Sequence, residues 1–123
     1  MRLEPVQTPV HPFAGQHLLA ELYGVPAHKL DDPGLLGAAL RKGIEQSGAT
    51  LLNLEARRFT PHGVTVLALL AESHASLHAY PEAGALFFDA FTCGPCDPEA
   101  ILTAVVTALS PTRLERRLLQ RGG

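Results

Sequence analysis

The chain has 123 residues, 46% of them hydrophobic and 18% charged, and a net charge of -2, which suits one folded domain with one core. Its arginines are scattered until the short RRLLQR near the end, so it lacks the basic footprint of a nucleic-acid-binding protein. The longest apolar run, VTVLALLA (Val64–Ala71), is far short of a membrane span, and MRLEPVQTPVHP at the start has no apolar centre of a signal peptide. A single cytoplasmic domain over residues 1–123, with no nucleic-acid or membrane partner, is the expectation.

Residues 1–15 hold three prolines and little periodicity and read as an arm leading into HLLAELYG, a strand ending at Gly24. In DDPGLLGAALRKGIEQSG, Asp31 or Asp32 can cap a helix, Pro33 suits its first turn and Gly48 its exit. Leu35, Leu36, Ala39, Leu40, Gly43 and Ile44 share one helical stripe. ATLLNLEARRF alternates, which places Leu52, Leu54 and Ala56 on one side and Asn53, Glu55, Arg57 and Phe59 on the other. After the turn TPHG, VTVLALLA reads as a strand buried on both faces. SHASLHAY, the turn PEAG and ALFFDAFT give two more strands. Asp97 and Pro98 then open a second helix, stopped at Ser110-Pro111, and RLERRLLQ makes a last strand.

This order predicts an α+β two-layer sandwich, a mostly antiparallel sheet with two helices on one face. The other face has no cover within the chain, and a second copy is expected there, so that the protein dimerises through the sheet.

The only cysteines, Cys93 and Cys96, enclose Gly-Pro just before the second helix. The spacing leaves no long loop for a structural disulfide to close, so both are expected as thiols. A Cys-Gly-Pro-Cys at a strand-to-helix junction is the mark of thioredoxin-like dithiol enzymes, yet too little chain follows to complete that fold. A metal reading would add His62, His74 and His78 to the cysteines, without a second pair at ligand spacing. No metal is expected.

ESHASLHAYPE carries more chemistry. Alternation sets His74, Ser76, His78 and Tyr80 on one face of a strand, and Ala75, Leu77 and Ala79 on the other. Histidines that cap core hydrogen bonds would be the plainer explanation. However, AESHASLHAYPE followed by DAFTCG, together with GQHLLAELYG, SGATLL and FTPHGVT, resembles the pyruvoyl-dependent S-adenosylmethionine decarboxylases of the short prokaryotic class. The likeness runs along nearly the whole chain.

That resemblance implies a proenzyme that cuts itself between Glu72 and Ser73 into a β chain of residues 1–72 and an α chain of residues 73–123. Ser73 would become the pyruvoyl group, which forms a Schiff base with the substrate amine and needs no pyridoxal phosphate. By the same resemblance His78 accepts a proton during processing, Thr65 supports the cleavage, and Cys93 is the proton donor in decarboxylation, leaving Cys96 incidental. Phe59 and Tyr80 fall where the family sets aromatics about adenine, and Glu82 where a carboxylate holds the ribose. The implied product is the aminopropyl donor of spermidine and polyamine synthesis, and the implied assembly a homodimer of cleaved protomers sharing each pocket. Gln16, Val25, the ASL before His78 and the ALFF before Asp89 depart from the family pattern. They leave open a pyruvoyl-dependent arginine or ornithine decarboxylase, or a non-catalytic homologue that binds without reacting.

Overall fold

The computed structural model describes residues 3–123; the first two residues of the expected arm lie outside them. Its elements run β1 (Ala14–Tyr23), α1 (Ala27–Leu30), α2 (Pro33–Ser47), β2 (Leu51–Arg58), β3 (Val64–Leu70), β4 (Ser73–Tyr80), a 3-10 turn at Pro81–Ala83, β5 (Ala85–Cys93), α3 (Pro98–Leu109) and β6 (Arg113–Gly122). The six strands form one sheet in the order β2-β3-β4-β5-β1-β6, every neighbouring pair antiparallel. This is the expected α+β sandwich, with the four-residue α1 as an addition too short to leave a periodic signal.

The long helices start and stop for local reasons. Asp32 accepts a hydrogen bond from the Leu35 amide at 3.1 Å, Pro33 follows it, and Gly48 takes the left-handed exit at φ 87°. Asp97 does the same for α3, accepting from the Glu99 amide at 2.9 Å. Both helices lie on one face. Leu36, Leu40 and Ile44 of α2 and Ile101, Val105 and Leu109 of α3 are fully buried against Leu18 and Leu22 of β1, Val66 of β3, Leu77 of β4 and Leu86 of β5. Gly43 lets the helices close on one another, since a Cβ there would stand 2.7 Å from the Ile101 Cα.

Two details of strand patterning differ from the expectation. A register shift between Leu51 and Asn53 turns Leu52 outward, so that Leu51, Leu54 and Ala56 are the residues of β2 packed against the core. β3 is buried on one face only: Val64, Val66, Ala68 and Leu70 are covered, while Leu67 and Leu69 are 52% and 57% exposed. The double burial read from its composition fails within one chain because both helices pack on the same side.

The face without helices carries the polar groups. Residues opposite one another in an antiparallel ladder share a face, and the register sets out three rows across it. These are Leu69-His74-Phe91-His17-Leu119, Leu67-Ser76-Asp89-Leu19-Arg117 and Thr65-His78-Phe87-Glu21-Glu115. The predicted alternation of β4 is therefore correct. Its inner residues Ala75, Leu77 and Ala79 are buried, and its histidines face outward beside exposed leucines and Phe87.

Candidate active site

β3 and β4 form a tight hairpin in which Leu70 pairs with Ser73 and the turn is Ala71-Glu72. Glu72 has φ 61°, a left-handed conformation that costs an L-residue with a side chain about 1–2 kcal/mol. Glycine or asparagine is the usual occupant of such a position. The strain falls on the residue whose carbonyl carbon is bonded to the Ser73 nitrogen. From the end of β5, the Cys93 thiol donates to that same Glu72 carbonyl, with Sγ and oxygen 3.6 Å apart. Glu72, Ser73 and Cys93 are thus gathered at one end of the sheet. Glu72 and Cys93 also line a cavity of about 610 Å³ with His11, Phe91 and Arg121.

Thr65 and His78 lie elsewhere. They are opposite one another in the ladder, and Thr65 Oγ1 meets His78 Nδ1 at 3.3 Å. His78 is five residues along β4 from Ser73, roughly 16 Å at strand rise, so the two cannot meet within one chain. Around this second group, Phe59, Thr65, His78, Tyr80 and Glu82 line a cleft of about 290 Å³ with His62. Tyr80 also packs on Phe87 with ring centroids 5.1 Å apart. Glu82 is not a free carboxylate, because His62 Nε2 stands 3.3 Å from it.

A third group, between the first two and missed in the sequence, centres on Asp89. His17 Nε2 and His74 Nε2 donate to its Oδ2 at 2.7 and 3.0 Å, and Ser76 donates to Oδ1. Burial opposes the charge on Asp89, but the hydrogen bonds from Ser76, His17 and His74 outweigh it and hold the carboxyl below its ordinary range. Arg121 donates to His17 Nδ1 at 3.4 Å, which leaves the proton of a neutral imidazole on Nε2, pointing at Asp89. Both nitrogens of His17 are thereby engaged, so the cluster reads as a hydrogen-bond network rather than a ligand set. The metal grouping considered from sequence is dispersed, since His62, His74 and His78 take separate partners.

Cys93 and Cys96 are both free and half-buried. Burial first, and the neighbouring Cys93 second, push the Cys96 thiol up, which disfavours its thiolate. Among the described residues no helix is long and apolar enough to cross a membrane.

The architecture and the open, polar-lined sheet face are those of a small one-sheet α+β enzyme. A family model described as S-adenosylmethionine decarboxylase matches residues 16–122. The S-adenosylmethionine decarboxylase proenzyme 2 of Bacillus anthracis is 41% identical over 109 residues, 88% of this chain and 89% of that protein. The S-adenosylmethionine decarboxylase proenzyme of Aquifex aeolicus is 37% identical over 88% of this chain and 81% of its own length. A crystal structure of the adenosylmethionine decarboxylase from Aquifex aeolicus superposes with a TM-score of 0.82 at 34% identity, covering 90% of this chain and 92% of that one. The chain belongs to the S-adenosylmethionine decarboxylase family.

Proposed function

We propose that this chain is a self-processing carboxy-lyase that cuts itself between Glu72 and Ser73 and then removes carbon dioxide from S-adenosylmethionine. Its product would be the aminopropyl donor for spermidine and other polyamines. The observation that carries the reading is the strained Glu72 backbone next to a serine, with a thiol donating to the carbonyl that the serine would attack.

The cut follows from that arrangement. Ser73 Oγ adds to the Glu72 carbonyl carbon and the C–N bond breaks, exchanging amide for ester, while the Cys93 thiol polarises the oxygen. Loss of the left-handed strain favours the forward direction. A base then removes the Ser73 α-proton, and the Glu72 carboxylate leaves with its bond electrons. Water hydrolyses the resulting dehydroalanine, releasing ammonia and leaving a keto group at the head of residues 73–123. The residues present fit that group, since Ser73 opens β4 beside Cys93 and a cavity of about 610 Å³ adjoins both the turn and the thiol. Once formed, the pyruvoyl ketone supplies an electron sink for a substrate amine, as pyridoxal does. Cys93 returns a proton to the substrate α-carbon.

His78 and Thr65 serve as base and support for the cut, but from a second copy. The distance of His78 from Ser73 along β4, with Thr65 opposite His78 on β3, and the bare leucines of β3 support a homodimer packed through the open face, in which each site joins Glu72, Ser73 and Cys93 of one chain to the other end of its partner's sheet. Phe59 and Tyr80 would then flank the adenine ring, with Glu82 exchanging its His62 contact for the ribose hydroxyls.

Mass spectrometry of purified protein tests the reading: two fragments are expected, ending at Glu72 and beginning with a pyruvoyl group that carbonyl reagents trap. Carbon dioxide release should follow S-adenosylmethionine rather than arginine or ornithine assayed in parallel. A chain that stays whole and inert to carbonyl reagents refutes the proposal. Cys93→Ala should still cut, though more slowly for want of the thiol on the Glu72 carbonyl, while turnover falls about 10²- to 10⁴-fold, the usual loss for a positioned acid; undiminished turnover would remove Cys93 from that role.

A further inference from the structure

Residues 3–13 form no helix or strand and precede the matched residues 16–122, yet His11, Pro12 and Phe13 line the cavity described above. The arm is held at its end, where the Gly123 amide donates to the Phe13 carbonyl and the Ala14 amide to the Pro12 carbonyl, both at 2.8 Å. Before that point the imidazole of His11 lies on Gly94, the residue next to Cys93. A Cβ at position 94 would come within 2.6 Å of ring atoms Cε1 and Nδ1, so the ring fits only because residue 94 is glycine. His11 and Cys93 line the same cavity of about 610 Å³.

Decarboxylation of an amino acid consumes a proton in every turnover, because carbon dioxide leaves without one and the α-carbon gains a C–H bond. If Cys93 supplies that proton it is left as a thiolate, and the next cycle waits until the thiol is restored. A thiolate is a stronger base than a neutral imidazole, and an imidazolium is therefore a competent proton donor to it. Resting on the decarboxylase reading, we infer that His11 is a proton-relay residue that restores the Cys93 thiol after each turnover. The imidazolium N–H gives its proton to Sγ, and the neutral ring recovers one from solvent. The other charged groups facing the cavity are Glu72 and Arg121.

The experiment compares wild-type protein with His11→Gln and His11→Ala, each first shown by mass to be fully cut. Expected are a fall in kcat of about 10²-fold with little change in KM, the low end for loss of a proton-transfer group, and partial recovery of His11→Ala by added imidazole. Wild-type kcat should decline as pH rises through the imidazole range, and His11→Gln should lack that limb. Cut, active variants with an unchanged kcat and pH profile, or a rise in KM alone that imidazole does not reverse, overturn the relay and leave the decarboxylase reading intact. A wild-type chain that never cuts overturns both.

Discussion

Ser73→Ala remains a single chain of 123 residues and releases no carbon dioxide from S-adenosylmethionine. In the proposed cut the hydroxyl is both the attacking group and the oxygen lost in making the keto group, so its removal would stop the sequence at its first bond rather than slow it. The fold should tolerate the change. Ser73 is half-buried at the start of β4, and the hairpin is held by the Leu70 pairing and the core beneath it; a substitution of this kind shifts stability by about 0.5 kcal/mol. Intact mass and a thermal melt read the two effects separately. Normal cutting by this variant would end the self-processing account.

Co-expression of Ser73→Ala with His78→Ala restores activity that neither variant has alone. If Ser73 and His78 act across a two-fold interface, a mixed dimer has one site lacking both groups and one site lacking neither. Random pairing makes half of all dimers mixed, so about a quarter of wild-type activity and a quarter of the cut chains are expected. The basis is the geometry of β4, whose two ends carry the two residues some five positions apart. Separately tagged copies purified in tandem give the mixed dimer alone, and there half of the sites should work. Continued silence in that sample would place both groups in one protomer and contradict the separation along the strand.

The fold was legible where local chemistry and long-range packing agree. Asp32-Pro33 and Gly48 bound α2 as capping chemistry requires, and the alternation of β4 named the right face for both of its histidines. β2 was misread because a bulge alters alternation after one residue and leaves no mark in composition. The outer face of β3 is bare within one chain, because an apolar residue states a preference for burial without saying which chain provides the cover. The Asp89 network was missed because its partners stand on different strands, His17 being 72 positions away. The available signal was an acid flanked by Phe87 and Phe91 in the outward phase of β5. The resemblance supplied the site residues singly, and only the folded sheet separates them into two groups at opposite ends of β4.

Strand order would hold together a molecule cut between Glu72 and Ser73. β1 belongs to the first piece but runs between β5 and β6 of the second, and β3 of the first piece borders β4 of the second. The fragments are interleaved, so prising them apart would mean tearing three ladders and opening the shared core. A cut between Glu72 and Ser73 would therefore commit the catalyst irreversibly without loosening it, and the pieces should travel together through any column that leaves the protein folded.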